Sequence, residues 1–308
     1  MRVVRRLLAL AGIGVVAWAC ATSWGAVVHG HPLYAVLLAI TLVVSIVVIV
    51  LSFRPRDPLR GWRLVGAIVL AVLALAWLGA MGWLRPFTAV EPALTAMDST
   101  ATVVVTESPT QIVMEPGLDP RTTGVLFQPG ARVDARAYAA ILRPLADAGF
   151  TVVIPKQPLG IGFLAMGAFE SARDAYPDIE RWIVAGHSLG GTVAAMDAEE
   201  HDGDDVAPVA GLLLYASYPA SDMSTTLTSD AMSISGSEDG LATPADIQAS
   251  MATLPQDSGF IEIDGAVHAF FGDYGPQPGD GTPTITQDDA RSQIGRISVE
   301  FVDSLTPR

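Results

Sequence analysis

The sequence predicts an α/β fold, a mainly parallel sheet with helices on both faces, preceded by three transmembrane helices. Three observations predict it. The first 84 residues contain three long uncharged apolar runs. From residue 101 onward, short β-branched runs alternate with amphipathic stretches. The charge divides along the same boundary. Residues 1–84 carry Arg2, Arg5, Arg6, Arg54, Arg56, Arg60 and Arg63 against the single acid Asp57. All the other acids lie in residues 86–308, so a chain that is 50% hydrophobic still has a net charge of -14. That distribution describes a membrane segment followed by an acidic, solvated domain. A strongly acidic surface repels phosphate backbones, which argues against a nucleic-acid partner.

The apolar runs are Leu7 to Val28, Leu33 to Phe53 and Leu64 to Leu84. A helix rising about 1.5 Å per residue crosses a hydrocarbon core of roughly 30 Å in about 20 residues, so each run is long enough to span. Arginines flank the first run at its start and fill the loop Arg54 to Arg63 between the second and third. The positive-inside rule places both in the cytoplasm and everything after Leu84 outside the membrane. The turn His29-Gly30-His31-Pro32 then faces outward. Its two histidines are the residue type of a metal site, but a four-residue interfacial turn accounts for them. Cys20, the only cysteine, rules out an intrachain disulfide and a cysteine metal site. Bulky Trp18 just before it fits a lipoprotein cleavage site poorly, so Cys20 reads as a packing or lipid-facing residue. The expected organisation is a membrane anchor over 1–84, a linker over 85–100 and an α/β domain over 101–308.

Within that domain, 102–106 and 111–114 read as an opening hairpin. Further strands follow at 124–127, 151–155, 182–185, 211–216, 232–235 and 260–264. Helices are expected at 134–148, 163–175, 190–201 and 287–305. Continuous apolar strands separated by helices imply a sheet covered on both faces. In such sheets the chemistry gathers at the carboxyl ends of the strands. The Pro/Gly-rich stretch 275–284 is expected to be an ordered surface loop, because helical sequence follows it.

Directly after the strand at 182–185 comes Gly186-His187-Ser188-Leu189-Gly190-Gly191, and a good helix opening begins at Thr192. A strand-to-helix elbow needs this composition, because the serine takes up a strained conformation and small residues two positions either side leave room for the turn. Ser188 is therefore the expected nucleophile. A hydroxyl needs a neighbouring base, and the base needs an acid to orient it. Three histidines lie in the domain. His187 adjoins the serine and should point away. His201, amid Glu199, Glu200 and Asp202, reads as a solvated surface residue. His268, on the loop after the last strand, is the expected base. The acid should follow an intervening strand, which points to Asp239, with Asp222 one strand earlier as the alternative. Glu238 should point elsewhere. The amides of Leu189 and Ala131 are the expected oxyanion donors, the latter from the turn Gln128-Pro129-Gly130-Ala131.

Beyond the elbow, the chain carries Phe127 to Asp134, Tyr138, Tyr215-Ala216-Ser217-Tyr218-Pro219, Gly236 to Gly240 and His268 to Gly275. Together these resemble bacterial α/β hydrolases of the α/β-hydrolase family 5 type, over about residues 100–305. The resemblance implies hydrolase activity through Ser188, Asp239 and His268. Ala131 stands where that family usually has a second glycine, which a backbone donor tolerates if its φ is negative. The expected chemistry is cleavage of an ester-type acyl bond through an acyl-enzyme, with a small-molecule or lipid-like acyl substrate. Neither metal nor organic cofactor is implied, and no protein partner is identified. The segments Pro158 to Leu164 and Phe270-Phe271 fit either an apolar pocket or the core. Two alternatives use the same residues differently: an extracytoplasmic acyltransferase, and a catalytically silent membrane-bound binding protein.

Overall fold

The computed structural model describes residues 1–54 and 60–306, in two compact units, Met1–Pro86 and Phe87–Arg308. The first unit consists of α1 (Arg2–His29), α2 (Pro32–Ser52) and α3 (Trp62–Trp83), each long and apolar enough to cross a membrane. Residues Pro55, Arg56, Asp57, Pro58 and Leu59 of the loop expected in the cytoplasm lie outside the described residues. Polar side chains are satisfied between the helices. Trp77 Nε1 donates to Thr41 Oγ1 at 2.9 Å, and the Tyr34 hydroxyl donates to the Met81 carbonyl at 2.8 Å. Such pairing is what an apolar solvent demands of a polar group. The outward faces carry exposed Val43, Val47, Leu70, Leu73 and Leu75. The turn after α1 is built on His31, whose Nδ1 accepts the Leu33 amide and caps α2, with Pro32 in the first helical position.

The second unit is built on an eight-stranded sheet of order β1-β2-β4-β3-β5-β6-β7-β8. Its strands are β1 (Val103–Glu107), β2 (Gln111–Pro116), β3 (Thr123–Gln128), β4 (Thr151–Pro155), β5 (Arg181–His187), β6 (Val209–Tyr215), β7 (Asp230–Gly236) and β8 (Gly259–Ile263). The opening hairpin, β1 with β2, is antiparallel, as is the β2–β4 pair; every pair from β4 to β8 is parallel. The helices are α4 (Ala139–Asp147), α5 (Ala168–Ala175), α6 (Leu189–His201), α7 (Pro244–Ser250) and α8 (Gln287–Ser304).

Strand alternation feeds two cores, one on each face. Val125 and Phe127 of β3, Ile183 and Ala185 of β5 and Leu213 of β6 pack with Ile141 and Leu145 of α4 and Ile294 and Phe301 of α8. Their neighbours Leu126, Trp182, Val184 and Leu212 point the other way, against Phe169 of α5 and Ala194 and Ala198 of α6. Side chains of period two on strands buried on both sides explain why these strands read as unbroken apolar runs.

Three local expectations are corrected. The helix expected over 163–175 is α5 alone, starting at Ala168. The residues before it form short 3-10 turns interrupted at Leu159 (φ 56°), amid Gly160, Gly162 and Gly167. The sequence reading missed α7, although Thr243-Pro244-Ala245-Asp246 spells its start. The Thr243 side chain accepts the Asp246 amide, and Asp246 accepts back from Thr243. Residues 85–100 were expected as a linker, yet from Phe87 the chain is bonded into the second unit. The Phe87 amide donates to the Arg132 carbonyl (2.7 Å), Asp134 N to Phe87 O (2.9 Å) and Val90 N to Asp273 O (2.8 Å). Two prolines suggested a free spacer, but hydrogen bonding with distant residues overrides local composition here.

Candidate active site

The carboxyl ends of β3, β5, β7 and β8 supply the residues of the site. Ser188 follows β5 immediately and caps α6 at φ 52° and ψ -126°, a left-handed conformation that a side-chain-bearing residue adopts only under constraint. The constraints are visible. Ser188 N donates to Tyr215 O (3.0 Å), and the Ser217 hydroxyl donates to Ser188 O (2.6 Å). The adjacent β6 loop thus grips both sides of the serine peptide.

His268 lies on the loop after β8 and is buried, with Nδ1 2.8 Å from Asp239 Oδ2 on the loop after β7. The other Asp239 oxygen accepts the amides of Leu241 and Ala242, both at 2.8 Å. Three partners for a fully buried carboxylate satisfy the cost of removing it from water. His268 Nε2 is buried and has no hydrogen-bond partner. Asp222 is exposed and turned to its own neighbour Ser224, so it is Asp239 that pairs with the histidine. Glu238 is exposed.

The two other histidines of the unit are buried as well. The ring of His187 lies 4.6 Å, centroid to centroid, from that of His268. Gly130 N donates to the Tyr138 oxygen (2.8 Å), so the Tyr138 hydroxyl proton is free to donate to His187 Nδ1 (2.9 Å). Burial, then the nearby His268, pushes the His187 pKa well below the ordinary histidine range, so the ring is neutral. His201 is buried, not solvated. Its ring packs 4.9 Å from that of Phe169, with Asp204 at Nδ1 (3.0 Å) and Glu170 at Nε2 (3.3 Å).

The turn after β3 carries Ala131. Its φ is negative, and the left-handed position falls on Arg132 (φ 60°). Among the described residues, neither the Ala131 nor the Leu189 amide donates to a backbone acceptor. For Leu189 this follows from its place as the first residue of α6, where backbone amides have no intrahelical partner. Behind the turn runs a buried polar chain that sequence reasoning missed. Gln128 Nε2 donates to Asp197 Oδ2 (3.2 Å) on α6, and Gln157 Nε2 donates to both Gln128 Oε1 and Pro129 O (3.1 Å each). A polar residue inside an apolar helix face was the available signal. Of the two apolar segments left open, Phe271 is core, whereas Phe163 and Leu164 are exposed beside α5.

Burial raises the Asp197 carboxyl to about 7. A folded-state pKa above the unfolded value makes a contribution to stability that is complete below the unfolded pKa and lost as pH rises through the folded one. Relative to Asp197→Asn, the wild type should therefore lose roughly 2–3 kcal/mol between pH 5 and pH 8. Paired thermal or denaturant melts at the two pH values measure it; a constant difference would mean that Asp197 does not titrate in this window.

A strained serine on a strand-to-helix elbow, with a histidine and a carboxylate from later strands of a mainly parallel sheet, defines an α/β-hydrolase fold. The chain belongs to the alpha/beta hydrolase family, whose model matches residues 124–292, more than half of its length. A search of curated proteins finds no match. Among solved structures, a predicted CIB-like hydrolase from Thermoplasma acidophilum is similar in fold at a TM-score of 0.50 and 16% identity, over 66% of this chain and 99% of its own. Two others are TT1662 from Thermus thermophilus (16% identity, 67% and 99% covered, TM-score 0.48) and the esterase domain from a Rhodothermus marinus protein (14% identity, 63% and 92% covered, TM-score 0.48).

Proposed function

We propose that this chain is a membrane-anchored serine hydrolase that cleaves an ester-type acyl bond. Ser188 attacks the carbonyl, and His268 takes its proton. Asp239 orients the imidazole and stabilises its charged form. The amides of Leu189 and Ala131 receive the developing oxyanion, and water then releases the acyl group. The observation that carries this reading is the buried His268–Asp239 pair at 2.8 Å, with the far ring nitrogen unpartnered. Helices α1 to α3 hold the protein in the bilayer. The arginines at positions 2, 5, 6, 54, 56, 60 and 63 favour a cytoplasmic N-terminus and an extracytoplasmic active site. The substrate is a small-molecule or lipid-like acyl compound.

The test is fluorophosphonate labelling of the full-length protein in detergent, followed by mapping of the adduct. Labelling of the folded protein on the peptide containing Ser188 is expected, and a membrane-impermeant fluorophosphonate should reach it on intact cells. A folded protein that stays unlabelled, or an adduct on another serine, would remove the proposed nucleophile.

A further inference from the structure

The Pro/Gly-rich loop 275–284 delivers one side chain to the two loops that bear the acid and the base. Asp280 Oδ1 accepts the amides of His268 (3.1 Å), Gly240 (3.2 Å) and its own neighbour Gly281 (2.8 Å). Its Oδ2 accepts the amide of Ala269 at 2.8 Å. One carboxylate therefore ties the backbone of His268 to the backbone next to Asp239. The approach is close enough to require glycine on both sides. A Cβ on Gly240 would lie 2.6 Å from Gly279 O, and one on Gly281 would lie 1.8 Å from Glu238 O. Neither obstacle is a flexible side chain. The His268–Asp239 hydrogen bond spans two loops that follow different strands, so its length depends on how those loops are held together.

We propose that Asp280 is a positioning residue for this site, keeping the base loop and the acid loop in register so that His268 and Asp239 stay in hydrogen-bonding contact. The proposal rests on the serine-hydrolase reading given above. Only a carboxylate offers acceptors on both of its outer atoms. In Asp280→Asn one acceptor becomes an NH2 group facing a backbone N–H, and the clamp opens on that side. Asp280→Glu keeps both acceptors and the charge but displaces them by one methylene. Thr286→Ala, which removes the side-chain cap of α8, serves as a control that lowers stability away from the site.

The experiment compares the full-length wild type and these three variants in detergent. It uses kcat and KM for hydrolysis of a p-nitrophenyl ester, the rate of fluorophosphonate labelling and thermal unfolding. Misplacement of a reacting group by about 1 Å costs on the order of 100-fold in rate. Asp280→Asn and Asp280→Glu should therefore lower kcat and the labelling rate by about 10- to 100-fold, with KM within about twofold of wild type. Thr286→Ala should lower the unfolding temperature and leave kcat and KM alone. Wild-type kcat and labelling rate in either Asp280 variant would overturn the proposal, as would a loss no larger than that of the Thr286 control. Failure of both Asp280 variants to fold would overturn it too, since Asp280 would then be a residue of the fold and not of the site. A wild type that neither labels nor hydrolyses would instead overturn the serine-hydrolase reading on which it rests.

Discussion

Exchanging Asp239 for asparagine should lower kcat by about four orders of magnitude while the protein stays folded and KM changes little. The reason lies in which atom each oxygen faces. Asp239 Oδ1 accepts two backbone amides, from Leu241 and Ala242, and only an acceptor fits there. In the variant the carboxamide oxygen is therefore held at that position, and its NH2 group is turned toward His268 Nδ1. A donor at Nδ1 selects the tautomer with the proton on Nε2. The nitrogen required to take the Ser188 proton is then already protonated. Steady-state kinetics on a p-nitrophenyl ester, with a melt to confirm folding, decide the matter. A loss smaller than about tenfold would show that Asp239 does not set the tautomer of a catalytic base.

The second large effect is expected at Gly190. A Cβ there would sit 2.1 Å from Gln128 O and 2.4 Å from Pro129 O, the backbone of the turn that carries Ala131. No side-chain rotation relieves that contact, so either α6 or the turn must move. Because α6 begins directly after Ser188, the proposed nucleophile, both proposed oxyanion donors would be displaced relative to each other. Loss of one donor costs roughly 100- to 1000-fold in kcat. Overpacking at a rigid site adds about 1–3 kcal/mol of destabilisation. Gly190→Ala should therefore lose at least about 100-fold in kcat together with several degrees of melting temperature. Near-wild-type turnover would mean that the oxyanion is held elsewhere.

Much of the architecture is set by local sequence. Uncharged runs of bilayer length mark α1 to α3. Unbroken apolar runs buried on both faces mark β3 to β6, because period-two side chains there feed two cores. The Gly186 to Gly191 elbow is legible for the same kind of reason, since a sharp turn leaves no room for larger side chains. The sequence could also order the three proposed catalytic residues along the chain, as each follows a strand.

What the tertiary structure alone decided are contacts between segments far apart in the chain. It put Asp239 rather than Asp222 against His268. It set His187 against His268 and Tyr138, and buried His201 against Phe169. It sewed residues after Phe87 onto the loops of Arg132 and Asp273, where two prolines had suggested a free linker. It brought Asp280 to the amides of His268 and Gly240. Periodicity and turn chemistry are properties of neighbours and can be read from the chain. A hydrogen bond between the amide of one loop and the carboxylate of another depends on how the sheet stacks those loops, and no local pattern encodes it.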